Sequence, residues 1–173
     1  MKTSEVKIIN NCTFFWHEYE DNGFLSNWFE SPFVIDDFCY LHVEQYIMAQ
    51  KAKLFHDAKE YTAILRATTP NDCKKYGRLV TPYDDNIWKN HRFAIMKTGL
   101  RAKFSQNTYL KKLLLQTGHT ILAEASPYDA IFGINLDAAA ASKITPSEWP
   151  GENLLGKALM EIRTEFGGAN MLY

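Results

Sequence analysis

The sequence predicts a helix-rich α+β fold: a single domain with a small N-terminal β region. Three observations carry that expectation. Short aromatic and β-branched runs separated by turn residues fill the first forty residues. From residue 43 onward, longer segments without Gly or Pro take over, several of them preceded by capping residues. No repeat, low-complexity linker or charge block interrupts the chain, so residues 1–173 read as one domain with a core from about residue 11 to residue 166.

The elements follow in order. Ile8 to Trp16 reads as a strand carrying the run Phe14-Phe15-Trp16. Gly23-Phe24-Leu25-Ser26-Asn27-Trp28 mixes aromatics with small polar residues, a loop composition that suits function on a rigid scaffold. Pro32-Phe33-Val34-Ile35 and Phe38-Cys39-Tyr40-Leu41 flank Asp36-Asp37 and predict a hairpin with a two-residue turn. Val43 to Phe55 predicts a buried helix, and Ala58 to Ala67 a second one capped by Asp57. Thr69-Pro70 opens a third, which Gly77 is expected to end. Asp85 or Asn86 is expected to cap a longer helix to about Phe104, and Asn107 to Gln116 adds another, stopped at Gly118. Two short strands are expected at Thr120 to Ala123 and Ala130 to Ile134. A long loop with the run Ala138 to Ala141 precedes a closing helix, Asn153 to Phe166.

Composition narrows the function. Nineteen basic and twenty acidic residues give a net charge of -1, which removes the chain-wide electrostatic case for gripping a nucleic-acid backbone. Aromatics make up 14%, enough for a core with a minority left to form a stacking pocket. No run approaches a membrane span, and the start Met1-Lys2-Thr3-Ser4-Glu5-Val6-Lys7 lacks a signal-peptide core. Cys12, Cys39 and Cys73 form no Cys-x-x-Cys pair and fit reduced thiols in the cytoplasm. The five histidines avoid the spacings of a helical metal site, and Walker, G-x-G-x-x-G and G-x-S-x-G motifs are missing. If the chain is an enzyme, these patterns lead us to expect one that needs no metal, nucleotide cofactor or serine nucleophile.

Four segments carry candidate chemistry. In Val43-Glu44-Gln45-Tyr46-Ile47-Met48-Ala49-Gln50-Lys51-Ala52, helical periodicity puts Glu44 and Lys51 on one stripe, roughly 10 Å apart along the axis at about 1.5 Å per residue. Either both reach solvent at opposite edges, or both project into a polar cleft where a desolvated glutamate serves acid–base chemistry. Trp88 and Arg92, one turn apart, are either a core tryptophan with a snorkelling arginine or a planar wall beside a cation, suited to a base linked to phosphate. Asp129 sits in a Pro-Tyr-Asp turn, where capping is the default role. At Trp149-Pro150-Gly151-Glu152-Asn153, amides at a helix start are placed to face an anion.

Taken together and in order, these segments resemble the NADAR, or YbiA-like, family. The likeness runs from about Asn11 to Phe166 through Gly23-Phe24-Leu25-Ser26-Asn27, Val43-Glu44-Gln45-Tyr46, Ala49-Gln50-Lys51-Ala52 and Trp88 with Arg92. It continues through Leu122-Ala123-Glu124-Ala125-Ser126-Pro127-Tyr128-Asp129 and Gly151-Glu152-Asn153-Leu154-Leu155-Gly156. The resemblance implies a metal-free N-glycosidase acting on a ribosyl–nitrogen bond beside phosphate. Two substrate groups are implied: ribosylamino-pyrimidine intermediates of riboflavin synthesis, and ADP-ribose on guanine bases of nucleic acid. No cofactor, membrane or obligate protein partner is implied. The family's glutamate, tryptophan and aspartate fall on Glu44, Trp88 and Asp129, and its helix-ending lysine on Lys51.

The chain departs from the family pattern at three places. Phe132-Gly133 replaces a common Trp-Gly, which keeps an aromatic wall but loses an indole donor. Ile134 stands where some members carry an acid, so Glu44 and Asp129 take the catalytic load. His42 replaces a small capping residue, predicting a looser helix start. The resulting expectation gives Glu44, Asp129 and Lys51 catalytic roles, and Phe24, Asn27, Trp88, Arg92, Phe132, Gly133 and Asn153 substrate contacts. Lys51 either binds phosphate or forms a Schiff base with a ring-opened sugar. The competing class is a non-catalytic module that binds ADP-ribose or a nucleotide through the same aromatic stack.

Overall fold

The computed structural model describes residues 5–168. In chain order its elements are β1 (Cys12–Phe15), β2 (Phe33–Ile35), β3 (Phe38–Tyr40), α1 (Val43–Leu54), α2 (Ala58–Arg66), α3 (Pro70–Leu79), α4 (Asp85–Gln106), α5 (Thr108–Gln116), β4 (Ile121–Glu124), α6 (Ala138–Ala141) and α7 (Leu154–Glu165). The α+β class predicted from sequence holds. The chain divides into two units, one made of the residues up to Phe29 and from Thr108 onward, the other Glu30–Asn107. The expected domain ends at 1–4 and 169–173, including the start Met1-Lys2-Thr3-Ser4, fall outside the described residues.

In the unit Glu30–Asn107, the predicted hairpin is present with Phe33 opposite Tyr40 and Ile35 opposite Phe38. Asp36 and Asp37 both take positive φ, 50° and 62°, as a two-residue primed turn requires. The hairpin rests on α1 through rings: Tyr40 meets Tyr46 edge-on at 5.1 Å, and Phe33 lies 5.9 Å from Tyr40. α1 packs against α2, α3 and α4, which is why eight of its twelve residues are buried. Its start is not loose. The His42 ring replaces the expected small cap, its Nδ1 accepting from Gln45 N at 3.1 Å.

Gln45 then ties α1 to the end of α2. Its Nε2 donates to the carbonyls of Ile64 at 3.1 Å and Ala67 at 3.0 Å, and its Oε1 accepts from Leu41 N. Carbonyls at a helix end otherwise lack partners. Two glycines allow close helix approach rather than ending helices. α3 runs through Gly77 to Leu79, and glycine suits that position because a Cβ there would overlap the Met48 side chain. A Cβ at Gly99 would stand 2.7 Å from Cδ1 of Tyr46. The cap of α4 is Asp84, one residue before the expected position, with Oδ1 accepting from Asn86 N and Ile87 N.

In the other unit, β1 and β4 pair in parallel, with Cys12 opposite Ile121 and Phe15 opposite Glu124. Their apolar face packs with Ala125, Ile134 and Ala141, and Trp149 closes over Phe14 at 5.8 Å. Arg163 on α7, fully buried, donates through Nη1 to Thr117 Oγ1 at 2.8 Å and Thr120 O at 2.9 Å, fixing the turn between α5 and β4. α7 lies so close to β4 that a Cβ at Gly156 would overlap the Leu122 carbonyl. Gly156→Ala is therefore expected to destabilise the protein by about 1–3 kcal/mol, since backbone cannot yield as a side chain can. Urea denaturation checks this, and an unchanged midpoint would contradict the close packing.

The second expected strand, Ala130 to Ile134, is absent. That segment is an irregular loop whose carbonyls accept from the chain just ahead of α7 and from its first turn: Glu152 N bonds Ala130 O, Asn153 N bonds Gly133 O, Leu154 N bonds Ile131 O and Leu155 N bonds Phe132 O. Its apolar run reflects partial burial without a neighbouring strand. The three cysteines are free thiols, Cys39 exposed and the other two buried. Among the described residues, no helix is long and apolar enough to cross a membrane.

Candidate active site

The unit Glu30–Asn107 gathers four of the expected residues, Glu44 and Lys51 from α1 and Trp88 and Arg92 from α4. Glu44 is 7% exposed, so the reading in which it reaches solvent at a helix edge fails. Lys51 is half-buried, and its Nζ donates to Gly77 O at 2.8 Å. The ammonium also lies 4.5 Å from the centroid of the Tyr83 ring and 5.7 Å from that of Trp88. Burial pulls the Lys51 pKa below its ordinary value, while the Glu44 carboxylate acts in the opposite direction. An acid and a base two turns apart on α1 thus act on each other electrostatically.

Arg92 is 5% exposed and does not snorkel; it and Trp88, at 7%, are both enclosed. A second ring, Tyr83, completes the group and was missed from sequence. Its hydroxyl donates to Asp85 Oδ1 at 2.8 Å. Burial, then this hydrogen bond, pushes its pKa up to about 12, so it stays a neutral donor. A signal existed: Pro82-Tyr83-Asp84 repeats the triplet Pro127-Tyr128-Asp129. In both, the aspartate Oδ1 accepts from the amides two and three residues on.

The other unit holds the remaining six. Phe24 and Asn27 belong to the turn Gly23–Asn27 and are buried at 9% and 5%. Asp129, Phe132, Gly133 and Asn153 form one knot of loop. Asp129 Oδ1 accepts from Ile131 N and Phe132 N, both at 2.8 Å. Gly133 fits because a Cβ there would stand 2.8 Å from Asp129 O and 3.0 Å from Glu124 O. Asn153, at φ 52°, uses both ends of its amide: Nδ2 donates to Leu122 O at 2.9 Å and Oδ1 accepts from Glu124 N at 3.2 Å.

The helix-start amides expected to face an anion are engaged elsewhere. Those of Glu152 to Leu155 all donate to carbonyls of the loop before α7, so α7 presents no open anion site there. Ile134, at the position where an acid was ruled out, is fully buried in the apolar cluster.

Residues 14–167 match the family model described as the NADAR domain. An N-glycosidase of Acanthamoeba polyphaga mimivirus is 47% identical over 126 residues, covering 73% of this chain and 74% of that protein. A riboflavin biosynthesis protein of Vibrio vulnificus is 31% identical over 91% of this chain, which spans only 39% of that longer protein. The NMR structure of the Escherichia coli protein YbiA superimposes with a TM-score of 0.76 at 29% identity, covering 95% of this chain and 90% of that one.

Proposed function

We propose, from the premise that this chain belongs to the NADAR domain family, that its substrate is a ribosylated base carrying phosphate and that Glu44 is its catalytic carboxylate. The chain is an enzyme, a hydrolase of N-glycosidic bonds, as its relatives in the mimivirus and Escherichia coli are named. The observation that carries the residue assignment is the pair on one stripe of α1: Glu44, buried, two turns from a half-buried Lys51 whose ammonium lies near the exposed ring of Tyr83 and the buried ring of Trp88.

Cleavage of a ribosyl C–N bond leaves positive charge on the sugar, and the departing base takes the bond's electron pair and a proton. A buried carboxylate stabilises that sugar charge and accepts a proton from the attacking water. Burial strengthens the effect, because a charge that is 7% exposed is screened less by bulk solvent. Trp88 provides a flat face for the base, and Arg92 and Lys51 offer cations for phosphate. By family position Asp129 holds ribose hydroxyls or takes the second acid–base role. Asn153 is better read as a positioning residue, since both ends of its amide hold β4 to the start of α7. Phe24, Asn27, Phe132 and Gly133 shape the substrate contacts in this reading. The functional domain spans about residues 11–166, which the family match over 14–167 supports, and the free thiols fit a cytoplasmic setting.

Substrate choice is tested by incubating the protein separately with single-stranded DNA bearing ADP-ribosyl-guanine and with a ribosylamino-pyrimidine phosphate. Release of free base or unmodified DNA from one identifies the substrate, and release from neither refutes the proposed substrate class. The geometry around Lys51 favours a charge-binding role over a Schiff base, since Gly77 O and both rings are partners for an ammonium. Borohydride added during turnover is expected to trap nothing on the protein. Lys51→Ala is expected to raise KM about tenfold or more, the loss of one charge-assisted hydrogen bond. A sugar adduct on Lys51 by mass spectrometry would overturn this role.

A further inference from the structure

The residues flanking β1 build a feature that the glycosidase reading leaves unused. Beyond β1, the Trp16 ring stacks on His17 with centroids 4.0 Å apart, and His17 stacks on Tyr19 at 5.1 Å with planes within 7°. Tyr128, the residue before Asp129, leans on Trp16 at 5.9 Å. The two outer rings are largely in solvent, Tyr19 at 73% and Tyr128 at 86% exposed. Beside this ladder lies a cavity of about 620 Å³, lined by Trp16, Tyr19, Phe14, Glu20 and Asp137 among others.

The ladder is held in place before any ligand arrives. Asn22, at φ 58°, accepts from Lys7 N at 2.9 Å and donates to Lys7 O and Phe14 O, both at 2.8 Å, which closes the loop that carries the rings. Gly23 lies directly under the carbonyls of His17 and Glu18, where a Cβ would overlap backbone. Such preorganisation lowers the entropy lost on binding. Charge then selects the ligand. Among the described residues, the lining holds Glu20, Asp21 and Asp137 against a single cation, Lys7, which pairs with Asp21 at 2.8 Å. The remaining negative charge favours hydrogen-bond donors.

We propose that this ladder and cavity bind a nucleobase bearing an exocyclic amino group, its face stacked on the rings and its amino edge toward Glu20 and Asp137. Two sources share that chemistry: a free nucleoside and an unstacked base of single-stranded nucleic acid. The site goes beyond the glycosidase reading and holds whether or not this chain cleaves a given substrate.

Isothermal titration of the full chain with adenosine, uridine and an unmodified single-stranded oligoadenylate tests it. Each of these carries a ribosyl C–N bond, so chromatography of the ligand after titration checks that no base is released and reads binding apart from turnover; failure to bind leaves the glycosidase assignment intact. Adenosine is expected to bind several-fold more tightly than uridine, which lacks the amino group. Tighter binding of the oligonucleotide than of adenosine assigns the site to single strands, and equal affinity to the free nucleoside. Tyr19→Ala combined with Tyr128→Ala removes only exposed rings and is expected to weaken binding about tenfold or more. Trp16→Ala, checked for folding by its melting temperature, is expected to do the same. The proposal is overturned by no binding at millimolar ligand, by equal affinity for adenosine and uridine, or by unchanged affinity in the double tyrosine variant.

Discussion

Glu44→Gln is expected to lower glycosidic turnover by a factor of about 10² to 10⁴, the usual contribution of a positioned acid–base group. The fold and the affinity for uncleaved ligand should persist, because glutamine matches the carboxylate in shape and can keep a hydrogen bond in a site that is 7% exposed. Steady-state kinetics together with binding of a product nucleotide separates the two effects. The variant also carries an electrostatic signature. The Glu44 carboxylate raises the Lys51 pKa against the downward pull of burial. Without it, Lys51 should lose its proton at a lower pH, and KM for a phosphorylated substrate should begin to rise at a lower pH than in the wild type. Turnover retained within a few-fold would remove Glu44 from catalysis.

Lys103→Met is expected to give the largest gain in stability. Lys103 lies on α4, fully buried, and burial lowers its pKa from 10.5 to about 7. In the unfolded chain it keeps its proton up to its ordinary value. The unfolded state therefore binds more protons between about pH 7 and pH 10.5, and stability rises with pH in that window as the folded-state penalty is relieved. At about 1.4 kcal/mol per pKa unit, the penalty at neutral pH is on the order of 3–5 kcal/mol. Methionine fills similar volume without charge, so part of that amount should be recovered, less the contact of the ammonium with the Phe104 ring. His42 adds the same sign at lower pH: burial first, then Lys103, lowers its pKa to about 4, so stability also climbs from pH 4 to 6.5. Between about pH 9 and 10.5 this rise is offset, because burial pushes the Cys73 thiol up to about 12 and the unfolded chain loses that proton first; above about pH 10.5 the trend reverses. Urea midpoints at pH 6.5, 8 and 9 should show the variant's advantage shrinking as pH rises. An advantage independent of pH would contradict a titrating Lys103.

Most of the helices were legible because their signals are local. Asp57 and Thr69 cap α2 and α3 as read, and Asp36-Asp37 makes the two-residue turn that its left-handed tolerance predicts. The misreadings share a cause in contacts between distant segments. Gly77 looked like a stop signal, yet it accommodates Met48 from α1 inside a continuing helix. Ala130 to Ile134 looked like a strand, yet its carbonyls serve the helix that begins more than twenty residues later. The His42 ring caps α1, although its position suggested only a missing small residue.

The candidate site divides in the same way. Helical periodicity was enough to put Glu44 and Lys51 on one stripe, and the ordered motifs were enough to identify the family. Periodicity alone left open whether that stripe meets water or protein. The packing of α1 among α2, α3 and α4 decided it, by enclosing Glu44 and holding Lys51 against Gly77 O and the ring of Tyr83. Short-range backbone preferences are written in neighbouring residues, so the sequence alone determined most of the helices, their order and the hairpin turn, but not the loop at Ala130 to Ile134 or the end of α3. Burial, and with it the strength of charges and the shift of pKa values, depends on residues brought from far along the chain. Only the tertiary structure could set those.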